Sequence, residues 1–151
     1  MTDEQQQTIK QIILELLQHM GISGEITTQV PGEPVLFNLK TEDSAMLIGS
    51  HGVNLGALQY LTRLLAYKKL REPVSFILDV EGYKKSREEF LRELARQAAA
   101  RVRETQESLL LKPMAAYERR VIHEEISSLP DIATESVGDE PERRILIKPK
   151  T

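Results

Sequence analysis

The stretch Met46-Leu47-Ile48-Gly49-Ser50-His51-Gly52-Val53-Asn54-Leu55 decides how the first half of the chain is read. Two glycines frame Ser50 and His51, with apolar helical runs on either side. Glycine lacks the Cβ that would hold another chain away, so a Gly-x-x-Gly loop lets an extended polymer approach the backbone. The helix that follows would offer its first amides and its positive dipole end to phosphate. Gly-x-x-Gly alone is a weak pattern, and the plain alternative is a helix–turn–helix with glycine caps. Ser50 and His51 stand where two fixed cations would grip phosphate best. A grip here is expected to be weaker and more dependent on pH.

The flanking elements follow from periodicity. Upstream, residues 3–19 carry Ile9, Ile12, Ile13, Leu16 and Leu17 at helical spacing, stopped by Gly21 and Gly24. Glu25–Val30 and Val35–Lys40 read as strands across the turn signal Pro31-Gly32-Glu33-Pro34. Asp43–Ile48 reads as a helical turn. Downstream, Val53–Lys69 reads as a helix with Leu55, Leu58, Leu61, Leu64 and Leu65 inside, and Val74–Val80 as an apolar strand. Gly56 is unusual there, since glycine costs about 1 kcal/mol in a helix interior. After Gly82, residues 83–104 form a long bridging helix. Ser108–Lys112 is a short strand, Met114–Ser127 a helix after Pro113, and Ile132–Val137 and Arg143–Lys148 a hairpin.

Arg119 and His123 stand four residues apart in that later helix and so share a face. A guanidinium beside an imidazole can hold a phosphate or stack on bases. The plain alternative is a solvated helix face with His123 packed at its edge. Arg143 and Arg144 open the last strand nearby if the hairpin packs on the helix. Lys85, Arg92, Arg96 and Arg103 fall within about 40° of one another on the bridging helix, a basic stripe expected to face solvent and to touch nucleic acid, the plain alternative being the polar side of an amphipathic helix. Phe90, Leu94, Ala98 and Val102 are expected on the opposite, buried side.

Charge sharpens this division. The 151 residues hold 20 Lys and Arg against 23 Asp and Glu, net −3, which excludes a bulk polyanion binder. Residues 1–60 carry 2 basic and 7 acidic side chains, whereas residues 84–123 carry 10 and 6. An anion site is therefore expected locally, in the second half. There is no cysteine, which excludes disulfides, thiolate nucleophiles and Cys-based metal centres. No apolar run approaches the roughly 20 residues of a membrane helix. Neither a secretory signal nor a catalytic motif is legible, so no enzyme activity and no cofactor are expected, and the cytoplasm is the default location. His123-Glu124-Glu125 is not a zinc-protease pattern, because Ser127 stands where the second histidine would be.

With these motifs in order, the chain resembles the bacterial Jag family (SpoIIIJ-associated, EloR/KhpB-like proteins). The resemblance runs through Leu47-Ile48-Gly49-x-x-Gly52, Ala57-Leu58-Gln59-Tyr60-Leu61 and Leu78-Asp79-Val80-Glu81-Gly82-Tyr83. It continues in Pro113-Met114, Tyr117-Glu118-Arg119-Arg120 with His123, and Glu140-Pro141 with Arg143-Arg144. It implies an α+β protein of two modules. Residues 1–81 would be a type II-like KH domain (α-β-β-α-GxxG-α-β), and 82–151 an R-3-H domain (α-β-α-β-β) named for Arg-x-x-x-His. It further implies binding of single-stranded RNA through Gly49, Ser50, His51, Gly52, Arg119, His123, Arg143 and Arg144. The role would be post-transcriptional control linked to bacterial cell envelope growth and division. A small KH-domain partner or self-association is also implied. The family's additional N-terminal domain has no counterpart in these residues. Two other readings stand beside this one: a protein-interaction adaptor whose KH unit has lost its RNA grip, and a binder of single-stranded DNA.

Overall fold

The computed structural model describes residues 1–29 and 32–151. Val30 and Pro31, expected at a strand end and in a turn, lie outside the described residues. The chain divides into two compact units, Met1–Lys84 and Lys85–Thr151. Both mix helices with a small sheet, an α+β architecture.

The first unit opens with α1 (Asp3–His19), started by a capping box in which Thr2 and Gln5 satisfy each other's backbone amides. Strands β1 (Glu25–Gln29) and β2 (Val35–Lys40) pair antiparallel, Glu25 opposite Lys40. A five-residue helix α2 (Ser44–Ile48), the glycine loop and α3 (Val53–Leu70) follow. The chain then returns as β3 (Phe76–Val80), parallel to β2. The sheet order is β1-β2-β3, so β2 is central, and its alternate residues Val35, Phe37 and Leu39 are buried as period-2 patterning requires. Phe37 meets Phe76 edge to face at 5.7 Å between ring centroids. Ile9, Ile13 and Leu17 of α1 and Leu55 and Leu58 of α3 complete this core.

One expectation fails on α3. Leu61 and Leu64 are exposed, and the inward face is Leu55, Leu58, Thr62 and Ala66. The helix is apolar almost all round, so periodicity alone could not choose its buried side. Thr62 can be inside because its hydroxyl donates to Leu58 O at 2.7 Å.

The second unit takes most of α4 (Tyr83–Thr105), then β4 (Leu109–Leu110), α5 (Ala116–Ile126), β5 (Ile132–Val137) and β6 (Arg144–Pro149). The sheet is antiparallel in the order β4-β6-β5, with Thr134 opposite Ile147. Its core joins Leu91, Ala95, Ala99 and Val102 to Val121, Ile122 and Ile126, and to Ile132, Ile145 and Ile147. The buried face of α4 is thus centred on Leu91, Ala95, Ala98, Ala99 and Val102. Phe90, expected inside, is exposed. Alanines let the helix lie close to its neighbours, and they carry little periodic signal. The shift in register places Lys85, Arg92, Arg96 and Arg103 about a quarter-turn from the centre of the buried face, on the flank of α4.

Phe37→Ala should lower the stability of the first unit by about 3–5 kcal/mol. Leu61→Ala and Leu64→Ala should each change it by less than about 0.5 kcal/mol. Urea unfolding followed by circular dichroism measures all three. A large loss at Leu61 or Leu64 would mean that α3 is turned the other way.

Candidate nucleic-acid interface

The glycine loop is built from left-handed backbone. Gly49, His51 and Gly52 have φ of 71°, 54° and 80°. A Cβ on Gly49 would stand 2.6 Å from Asn54 Cγ. That side chain cannot easily move, because Asn54 Nδ2 donates to Met46 O at 2.7 Å and so ties the start of α3 to the end of α2. A Cβ on Gly52 would stand 2.9 Å from the ring of Tyr83. Both glycines are therefore demanded by the chain's own packing and turn, before any ligand is considered. Ser50 and His51 are exposed at the tip. Gly56 differs: it has no positive φ, and nothing lies within 4 Å of its missing Cβ. It sits on an exposed apolar side of α3 with Val53, Tyr60, Leu61, Leu64 and Tyr67. Beside it lies an open hollow of ≈ 480 Å³ between Met20, Met46, Ala57 and Leu61.

In the second unit the Arg–His pair reverses the arrangement that its plain alternative assumed. Arg119 is the buried member, with 9% of its side chain exposed, and His123 is the exposed one. Arg119 Nη1 donates to Met114 O at 2.7 Å and Nη2 to Glu140 Oε1 at 2.8 Å. Met114 is held in turn, its amide donating to Arg143 O. His123 Nδ1 lies 2.5 Å from Thr134 Oγ1 on β5. Arg143 Nη1 donates to Gly138 O at 2.7 Å, and Arg144 Nη2 lies 3.7 Å from a Glu142 carboxylate oxygen. Arg119, Arg143 and Arg144 thus converge on one turn, residues 138–143, with His123 beside the strand that leads into it. Asp139, Glu140 and Glu142 on that turn balance the three guanidinium charges.

The stripe on α4 is spoken for. Arg92 reaches Glu88 at 2.8 Å and Glu125 at 3.0 Å, and Arg96 reaches Glu93 at 2.9 Å and Glu125 at 2.7 Å. Arg103 makes two bonds to Asp131. Lys85 is exposed. Hydrogen bonds from Arg96 and Arg92 hold the Glu125 carboxyl below the usual carboxylate range. Glu88 is lowered chiefly by Arg92, Glu93 by Arg96, and Asp131 by Arg103. Sequence reading placed the four cations on one stripe but not their partners. Glu125 and Asp131 lie about thirty residues further along the chain, and only the fold brings them to the stripe. The pair Arg87–Glu118 was missed as well; it is mostly buried at 2.7 Å, with the Arg87 guanidinium 5.2 Å from the Phe90 ring centroid. Among the described residues, no group of three or more His, Asp or Glu could hold a metal ion. No described helix is long and apolar enough to cross a membrane.

Residues 89–149 match the R-3-H domain family, so the match covers nearly all of the second unit. Three curated relatives carry the same name, RNA-binding protein KhpB. The protein of Clostridium symbiosum is 40% identical over 113 residues, covering 75% of this chain and 51% of that protein. The protein of Bacillus subtilis is 33% identical over 128 residues, covering 83% and 62%. The protein of Lactiplantibacillus plantarum is 28% identical over 135 residues, covering 89% and 42%. The chain spans about half the length of the curated relatives it matches.

The three loop and helix glycines should behave differently. Gly49→Ala should destabilise by about 1–2 kcal/mol, because it combines a left-handed φ with displacement of Asn54. Gly56→Ala should stabilise by about 0.5–1 kcal/mol. Thermal unfolding of the two variants checks the contrast. Acid offers a second check. The folded values of Glu88, Glu93, Glu125 and Asp131 are depressed, so their stabilisation is present above the unfolded value of about 4 and is lost as pH falls through the folded values. The melting temperature should drop as pH falls below about 4, and Glu125→Gln should flatten that drop.

Proposed function

Taking as premise an R-3-H domain in the second unit and relatives named for RNA binding, we propose that this chain is a Jag-family protein that binds single-stranded RNA. The observation that carries the reading is the convergence of Arg119, Arg143 and Arg144 on the β5–β6 turn, within the segment that matches the R-3-H domain. His123, exposed on the same helix, supplies a further donor on the outside, and Arg120 beside it is paired with Glu124 at 3.1 Å. Lys85, Arg92, Arg96 and Arg103 play a smaller part than their number suggests, since three of them must first release carboxylates.

The first unit acts as a type II-like KH domain over residues 1–81, joined to an R-3-H domain over residues 82–151. Its element order and the parallel pairing of β2 with β3 support that reading. The loop Gly49-Ser50-His51-Gly52 meets the backbone of the strand, and the hollow beside α3 takes bases. Each module alone binds weakly, and linking the two raises the effective concentration of the second. The protein works as a binding protein in the cytoplasm, not as an enzyme, in post-transcriptional control tied to envelope growth and division. One observation favours a second reading, an adaptor. The exposed apolar side of α3, where Val53 is 67% and Tyr60 62% exposed, fits a protein surface, such as a small KH-domain partner or a second copy.

Fluorescence anisotropy with short labelled single-stranded RNA, single-stranded DNA and duplex RNA, across salt, separates the readings. RNA binding predicts single-strand preference and an affinity that falls about a hundredfold per decade of salt for roughly three phosphate contacts. His123→Ala should weaken binding without lowering the melting temperature. No binding of any oligonucleotide at tens of micromolar protein in low salt would leave the adaptor reading, and equal affinity for DNA would remove the preference for RNA.

A further inference from the structure

The anion position on Arg119 is already filled. A guanidinium removed from water needs a counter-charge, and here it is Glu140 of the β5–β6 turn. The two partners are unequally placed. Arg119 is fixed in the interior, whereas 58% of the Glu140 side chain faces solvent. The contact also uses one carboxylate oxygen, at 2.8 Å, rather than the two that a guanidinium fork can engage. The α4 stripe is paired in another way, through more contacts per cation. Arg103 takes Asp131 with two bonds, Arg96 pairs with two carboxylates, and Arg92 pairs with three. Of the paired guanidiniums in the second unit, Arg119 combines a buried cation with a single, exposed and singly bonded anion.

We propose that Glu140 is an internal competitor for phosphate, so that a nucleic-acid backbone reaches Arg119 only by displacing the Glu140 carboxylate. The inference rests on the RNA-binding reading above and gives that reading a mechanism. A phosphodiester brings the same charge with two free oxygens, one of which can take the Arg119 Nη2 position that Glu140 holds while Nη1 stays on Met114 O. Arg143, bonded to Gly138 O, and Arg144, 3.7 Å from Glu142, stand on the same turn and would meet the flanking phosphates. Because the cation is buried, Glu140 leaves only as another anion arrives. Binding is then an exchange of anions, weakened by the cost of the pair that it breaks.

The test uses the full chain and a labelled single-stranded RNA of ten nucleotides in anisotropy titrations. Glu140→Gln keeps the shape and the acceptor oxygen but removes the charge, and it should tighten binding about three- to tenfold. The salt dependence should steepen, log K gaining about 0.7 in slope because the phosphate contact no longer frees a carboxylate that takes up a counterion. Asp139→Asn removes an equal charge from the same turn, from a carboxylate that is not the partner of Arg119, Arg143 or Arg144, and should change affinity less than about twofold. Equal gains from both variants would reduce the effect to general charge and overturn the proposal. So would an unchanged or weaker affinity of Glu140→Gln at an unchanged melting temperature, while wild-type binding leaves the RNA reading intact. Should Glu140→Gln fail to fold, Glu140→Asp retains the charge on a shorter arm. It should still bind more tightly than wild type, and parity would overturn the proposal. Binding by neither wild type nor any variant would sink the RNA reading itself.

Discussion

The second unit depends on guanidinium groups being matched by carboxylates. Arg119 cannot be taken out of water without an anion, and its two contacts tie three pieces of chain together. Met114 O belongs to the segment before α5, Glu140 to the β5–β6 turn, and Arg119 itself to α5. The same rule operates along the line where α4 meets α5. Arg87 meets Glu118, Arg92 and Arg96 meet Glu125, and Arg103 meets Asp131 just beyond α5. These pairs advance in step along both helices, so they also set which turn of α4 faces which turn of α5. Most are half-exposed and individually weak. Their joint effect is a unit rich in cations with few of them free.

The first unit is governed by backbone instead. Gly49 and Gly52 turn the chain sharply between α2 and α3, and Asn54 closes the turn by bonding back to Met46 O. That geometry places Ser50 and His51 at an exposed tip. The chemistry available there is mild: one hydroxyl and one imidazole in place of fixed positive charge. The apolar side of α3 is the larger feature of this unit. The two units thus offer surfaces of different chemistry, an apolar one with a polar loop and an ionic one around a hairpin turn.

Much of this was legible in the sequence, for identifiable reasons. Strand β2 alternates cleanly, and Gly-x-x-Gly and Arg-x-x-x-His are local patterns. The element order of both units follows from such signals. The failures arise where the deciding contact is distant or the pattern is uniform. The apolar residues of α3 surround the helix, so Leu61 and Leu64 read as core when Thr62 and Ala66 fill that place. The alanines of α4 hid its buried face and moved the basic stripe to the helix flank. Arg119 read as a surface cation because its anion, Glu140, lies 21 residues on. Its pairing depends on a hairpin that no local pattern encodes.

In the proposed RNA-binding reading, nucleic acid would meet this chain at the β5–β6 turn and not along the α4 stripe. Backbone and arginine Nε resonances followed by NMR during titration with single-stranded RNA test it directly. Saturable shifts are expected at Arg119, His123, Arg143 and Arg144 and in residues 138–142, with Arg92, Arg96 and Arg103 nearly still. Shifts concentrated on Arg92, Arg96 and Arg103, with Arg119 and the turn unmoved, would contradict it.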